Sequence, residues 1–249
     1  MSTREPAVGD AEWQAVQHGL EQVRERIRVS AVRAGRDPAD IRLLAVSKRQ
    51  SMHAIRAAYA AGQRDFGENY AQELSSKSAL ASELPGLRFH MIGHVQRNKC
   101  AALAGVVSAV HSVDSARLAR ELGRRAGAAP LPPPQRLLPG AELAVFIEVN
   151  VSAAAQKAGC SPEELPDVIA AVAAEPALVL RGLMAIPEGE GEPEASRAAF
   201  MALRALRDRH GGVARLPELS MGMSRDLEVA VECGSAWVRV GTDIFGARV

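Results

Sequence analysis

The sequence predicts an α/β fold, a single (β/α)8 TIM-type barrel with an extra N-terminal helix. Eight short runs rich in β-branched residues alternate with longer helical stretches. Several of these runs, such as LLAV, AVFIEV and LRGLMAI, read as near-continuous apolar runs rather than alternating ones, which suits strands covered on both faces. Parallel strands need long crossovers, and a helix pattern fills nearly every gap. Eight such units in about 210 residues match a closed barrel. An open doubly wound sheet is the rival, but it would carry a phosphate fingerprint, and neither GxGxxG nor GxxxxGK[ST] is present.

Each element follows from its local pattern. Residues 1–10 read as a flexible tail, and 11–249 as the barrel domain. From Ala11 to Ala34 the apolar positions Trp13, Val16, Leu20, Val23, Ile27 and Ala31 recur at three- and four-residue steps, which predicts an amphipathic helix. Gly35 can end it, and Pro38 blocks continuation. The predicted strands are Ile41–Ser47, Asp65–Glu68, Arg88–Ile92, Ala109–Val113, Glu142–Val149, Leu178–Met184, Glu218–Ser220 and Trp237–Val240. Helices are predicted over Met52–Ala61, Tyr70–Ala81, Ser115–Ala126, Pro162–Ala174, Glu194–His210 and Arg225–Cys233; segment 96–105 has a less regular pattern. Ala128–Ala141 carries prolines at 130, 132, 133, 134 and 139, which excludes a helix or an inner strand. It reads as a surface loop, with a docking segment for another protein as the alternative. The acidic Glu188–Pro193 stretch reads as a second loop.

Composition narrows the function classes. Of 249 residues, 47% are hydrophobic and 24% charged, so the chain can bury a sizeable core without disulfides. Thirty Lys+Arg against 29 Asp+Glu leave a net charge of +1, which offers no basic excess for a nucleic acid. Cys100, Cys160 and Cys233 lie far apart and form no CxxC, which fits a reducing compartment. No signal peptide and no apolar run of membrane length is seen. These features predict a cytoplasmic protein that binds neither membrane nor nucleic acid; nothing in them demands a dimer, and a monomer is expected.

In such a barrel the active site lies where strands end and βα loops begin. Lys48 ends the run LLAVSK and would point into the barrel mouth. Apolar surroundings disfavour its ammonium form, and a neutral lysine attacks aldehydes to give a Schiff base. The alternative is a structural lysine paired with an acid such as Glu68. LSMGMSRD ends the seventh strand and WVRVGTDIFG the eighth, the two places where barrels often hold phosphate. Ser224 is placed to cap the following helix, and Gly222 lets the backbone turn. Backbone N–H groups at Gly241 and Thr242, with the Thr242 hydroxyl, could complete an anion cradle. Arg239 shares a strand face with Gly241 and could point inward, either to a ligand or to a core carboxylate such as Glu148. His90 and His94 have HxxxH spacing, but Gly93 breaks a helix between them and no cysteine cluster supports a metal. GxSxG is absent too, so no serine-hydrolase signal is seen.

The motifs LLAVSK (43–48), DFGENYAQE (65–73), FHMIGHVQRNK (89–99), HSVDS (111–115), LRGLMAIP (180–187), LSMGMSRD (219–226) and VRVGTDIFG (238–246) run from the first strand to the last. With them the chain resembles the pyridoxal phosphate homeostasis proteins, single barrels similar to the N-terminal domain of alanine racemase. The resemblance implies that Lys48 holds pyridoxal 5′-phosphate (PLP) as an internal aldimine. It also implies that Ser224, Gly241 and Thr242 grip the phosphate, that Arg239 faces the pyridine nitrogen, and that Asn69 and His90 lie near the cofactor. Asp243 stands where the family often has a small apolar residue, and it is expected to point away. Val95 replaces a frequent leucine, and Ser235–Ala236 a frequent Ser-Thr.

PLP on a lysine normally means catalysis, because the ring is an electron sink. An arginine against the ring nitrogen weakens that sink. Racemases of similar fold take a second base from a β-rich domain, for which a chain ending at Val249 leaves no room. The resemblance therefore implies a carrier that limits free PLP and releases it to apo PLP-dependent enzymes. The alternative is a racemase-like enzyme with Tyr70 or His90 as the base.

Overall fold

A computed structural model describes residues 8–130, 132, 135–137, 143–152, 158–187 and 192–246. Eight parallel strands close into a barrel in sequence order: β1 (Arg42–Val46), β2 (Asp65–Glu68), β3 (Arg88–Met91), β4 (Val107–Val113), β5 (Leu143–Glu148), β6 (Leu178–Met184), β7 (Glu218–Ser220) and β8 (Trp237–Val240). β8 pairs back onto β1 through Arg42↔Trp237 to Ala45↔Val240. All eight predicted strands exist, and four have the predicted limits.

Helices cover the outside: α1 (Val8–Arg33), α2 (Met52–Ala60), α3 (Ala71–Lys77), α4 (Ala79–Glu83), α5 (Cys100–Leu103), α6 (Ala116–Ala128), α7 (Leu165–Ala173), α8 (Arg197–Arg209), α9 (Gly212–Arg215), α10 (Leu227–Glu232) and α11 (Thr242–Phe245). α1 starts at Val8, inside the expected tail. Ser51 caps α2 through Ala54 N, and Ser115 caps α6 through Leu118 N, each satisfying a donor that the first turn leaves open.

The main core lies between strands and helices. Leu43, Ala45, Phe66, Phe89, Val145, Ile147, Leu219, Val238 and Val240 all point outward into it. The alternate residues point into the barrel, as the two-residue period of a strand requires. There Leu44, Phe146, Met184 and Trp237 form a separate small cluster. Much of the rest of the interior is polar. Glu218 accepts from Trp237 Nε1 at 2.8 Å, is ion-paired with Arg181, and lies 3.5 Å from Arg42.

Part of the proline-rich segment packs against the barrel. Half of it lies outside the described residues, but Gln135 bridges two elements. Its side chain donates to Ala81 O at 3.1 Å, and its carbonyl accepts from Ser108 Oγ at 2.5 Å. Leu137 packs against the inner cluster. The acidic stretch 188–191 lies outside the described residues.

Candidate functional site

At the C-terminal mouth of the barrel a cavity of about 290 Å³ is lined by residues from several strand ends. Lys48, Asn69, Ser224, Arg239, Gly241 and Thr242 all border it. Val46, Ile92, Ile186 and Met223 supply apolar wall. Six of the seven residues expected at a site therefore converge on one cavity.

Lys48 follows Leu44 and Val46 on the inward parity of β1. Its expected alternative partner, Glu68, is taken by another lysine. Glu68 is one residue out of phase with Gly67 and faces the opposite side of the sheet. There Lys77 Nζ donates to Glu68 Oε1 at 2.8 Å, to Glu73 Oε1 at 2.7 Å and to the Ser47 carbonyl at 2.7 Å. Ser47 Oγ also donates to Glu68 Oε1 at 2.7 Å. Burial raises the Glu68 carboxyl, and Lys77 opposes that rise. This buried ion cluster braces the chain on both sides of Lys48. Just beyond it, Arg49 has a φ of +60° and donates its backbone N–H to Glu73 Oε1 at 2.5 Å. A non-glycine residue in that region stores strain of roughly 1–3 kcal/mol, which the carboxylate contact offsets.

Ser224 does not cap its helix. It lies in a turn over 224–226, and α10 begins only at Leu227 behind Asp226. The turn is held by Asp226, which accepts from Met223 N at 2.6 Å and from Ser196 Oγ at 2.7 Å. A third clamp was not read from the sequence. Arg26 of α1 donates to Ser224 O at 2.7 Å, to Glu228 at 2.7 Å and to Asp243 at 2.5 Å. One guanidinium thus ties both mouth loops to the N-terminal helix. The same contact turns Asp243 away from the cavity, as expected. Spacing alone could not reveal Arg26, because it is one of several arginines on a charged helix face.

Arg239 is buried, with Nη1 donating to Ser220 Oγ at 2.8 Å and Nη2 to Ala185 O at 3.0 Å. Burial lowers its pKa to about 10, so it stays charged at neutral pH. The nearby Glu148 carboxyl is pushed up to about 7 by burial, against the pull of Arg239.

His90 is the exception among the expected site residues. It points into the barrel but does not border the cavity. Its Nε2 lies 3.0 Å from Asp65 Oδ1 and its Nδ1 3.0 Å from His111 Nε2. His94 sits apart, exposed, 3.2 Å from Asp114 Oδ2, so the HxxxH pair does not converge. Tyr70 borders a neighbouring cavity with His94 and Lys99 instead. Cys100, Cys160 and Cys233 are free and buried. No helix among the described residues is long and apolar enough to cross a membrane.

The cavity's donor set fits PLP. An amine stands for the aldehyde, hydroxyl and backbone groups for the phosphate, and apolar walls for the ring faces. The buried Asn69 Oδ1 has no hydrogen-bond partner among the described residues, which leaves an acceptor for a ring hydroxyl. Its volume is near the lower end, about 300 Å³, of small-ligand sites.

The chain is similar to proteins already known. The family model described as alanine racemase, N-terminal domain, matches residues 19–249. A pyridoxal phosphate homeostasis protein of Pseudomonas aeruginosa is 48% identical over 234 residues, 94% of this chain and 96% of its own. One from Escherichia coli is 43% identical, covering 94% and 97%. Among solved structures, PipY of Synechococcus elongatus, with PLP bound, is 33% identical with a TM-score of 0.75, over 93% of this chain and all of its own. An alanine racemase from Corynebacterium glutamicum, at 18% identity and a TM-score of 0.63, shares the fold. The chain belongs to the pyridoxal phosphate homeostasis protein family.

Proposed function

We propose that this protein binds PLP in the C-terminal mouth of its barrel, joined to Lys48 as a Schiff base, and acts as a carrier that limits free PLP. The observation that carries this reading is the convergence of Lys48, Asn69, Ser224, Arg239, Gly241 and Thr242 on one cavity. The relatives' name and the PLP bound to PipY support the choice of ligand. PLP would supply a reactive aldehyde and an electron-withdrawing ring. Lys48 would hold the aldehyde carbon. Ser224, Gly241 and Thr242 would bind the phosphate oxygens, and Asn69 would accept from the ring hydroxyl. Arg239 would face the ring nitrogen as a charged donor that does not give up its proton.

A carrier is favoured over a racemase-like enzyme by the placement of bases. Stereochemical inversion needs a proton acceptor on each face of the bound substrate. Neither Tyr70 nor His90 borders the cavity. The acid that does, Asp226, is held by Ser196 and the Met223 N–H. Recipients would be apo PLP-dependent enzymes, with the carrier acting as a cytoplasmic monomer.

The test is transfer. PLP-loaded protein mixed with an apo-aminotransferase should restore that enzyme's activity, while an excess of apo-carrier should withdraw free PLP from it. Sustained turnover of amino acids by the purified protein alone would contradict the carrier reading.

A further inference from the structure

A single chain of hydrogen bonds runs through the barrel interior from one mouth to the other. At the N-terminal rim Arg88 grips Asp65, Nε to Oδ1 at 2.6 Å and Nη2 to Oδ2 at 2.8 Å. Asp65 Oδ1 also meets His90 Nε2 at 3.0 Å. His90 Nδ1 lies 3.0 Å from His111 Nε2, and His111 Nδ1 lies 2.8 Å from Ser220 Oγ. Ser220 Oγ accepts from Arg239 Nη1 at 2.8 Å. The links step from β2 to β3 to β4, then cross the barrel to β7 and β8. His90, His111 and Ser220 are fully buried.

The two ends dictate every proton between them. A guanidinium can only donate and a carboxylate can only accept. Ser220 Oγ receives the Arg239 proton, so its own O–H is directed to His111 Nδ1. His111 then carries its proton on Nε2 and donates to His90 Nδ1. His90 in turn donates Nε2–H to Asp65. In this polarity both imidazoles are neutral and every member is satisfied. In the reverse polarity two donors converge on Ser220 Oγ, and its hydroxyl proton has no acceptor among the described residues, a costly state for a buried group. Aromatic contacts hold the rings in place: His111 stacks on Phe146 at 4.2 Å and meets the edge of Trp237, while His90 lies 5.1 Å from Trp237. Burial holds His111 well below its ordinary pKa, which agrees with a neutral ring.

We propose that Ser220 and His111, backed by His90 and Asp65, are positioning residues that aim the Arg239 guanidinium at the cavity and fix it as a donor. With Nη1 bound to Ser220 and Nη2 to Ala185, the remaining N–H groups are those that can serve a ligand. The link to PLP rests on the reading of the cavity given above; the proton order of the chain does not.

The test has two parts. In the PLP-free protein, long-range 15N–1H correlations of the imidazoles should show both rings neutral with the proton on Nε2. A proton on His111 Nδ1, or a charged ring at neutral pH, overturns the chain, whatever the cavity binds. Ser220→Ala should then weaken PLP binding roughly tenfold, the effect of losing one partner of a charged group. It should also shift the visible band of the loaded protein, and Ser220→Thr should restore both. A folded Ser220→Ala protein with unchanged affinity and band overturns the positioning role. Asp65→Asn, at the far rim, is the second variant. It should move the His111 nitrogen resonances and reduce PLP affinity, and unmoved resonances would contradict a continuous chain. A wild-type protein that takes up no PLP defeats the cavity assignment, while the imidazole spectrum still decides the chain.

Discussion

Glu148, the last residue of β5, is a buried carboxyl with a charge problem. Burial raises its pKa to about 7, and Arg239 only partly compensates. Its folded-state pKa lies above the unfolded value, so the native state holds the extra proton between pH 4.5 and about 7. Stability contributed by that protonated group is present below the unfolded pKa and is lost as pH rises to the folded one. Glu148→Gln should therefore raise the Tm at pH 8 relative to wild type and leave it near unchanged at pH 4.5, read from thermal melts across that window. Thr242 borders the cavity itself. Thr242→Val removes a hydroxyl donor to a phosphate dianion, a charged hydrogen bond of about 1.5–3 kcal/mol. PLP affinity measured by fluorescence titration should fall by about tenfold or more. Unchanged affinity would remove Thr242 from the site. At this scale the sequence was most legible where a strand ends, because topology alone puts Lys48, Asn69 and Thr242 at the mouth. Depth was not legible. His90 has the right parity to face inward, but whether it reaches the cavity depends on the stagger of eight strands, and it sits below the mouth against Asp65 and His111.

The elements are placed by a few close approaches rather than by propensity. Gly222, between β7 and α10, has a φ of +93°, and a Cβ there would lie 2.4 Å from the Ala230 Cβ. Its carbonyl accepts from Arg239 N at 3.0 Å. Gly222→Ala should destabilise the protein by roughly 1–3 kcal/mol through the disfavoured conformation alone. The clash with Ala230 adds to that, and chemical denaturation with PLP titration should show stability and affinity falling together. Gly19 plays the matching part on α1, where a Cβ would lie 2.6 Å from Asp243 O. α1 thus packs flush against α11 while Arg26 reaches both mouth loops. Strong periodicity made the long elements readable, and Leu178–Met184 and Asp65–Glu68 have their predicted limits. Short turns were less readable. Ser224 looked like a cap because Ser-X-X precedes an apolar run, yet the chain first makes a turn fixed by Asp226.

Across the whole molecule, the two ends of the barrel differ. Glu218, its arginines and Trp237 fill the N-terminal level, and Leu137 packs beneath them. The candidate cavity lies at the C-terminal mouth, where strand ends converge as barrel topology requires. The overall barrel was legible from alternating runs and helices. The polar interior was not, because inward residues such as Asp65, His90, His111, Ser220 and Arg239 each look isolated in sequence and become one network only when the strands close.

Lys48 is the proposed attachment point for PLP. The most direct measurement is borohydride reduction of the PLP-loaded protein, followed through its visible absorption band and completed by peptide mapping. The band should disappear on reduction, and the pyridoxyl group should be found on Lys48, while Lys48→Ala should lose the band yet keep weak phosphate-anchored binding. Pyridoxyl found instead on Lys99 or Lys157, or a protein that remains colourless with PLP, would contradict the account.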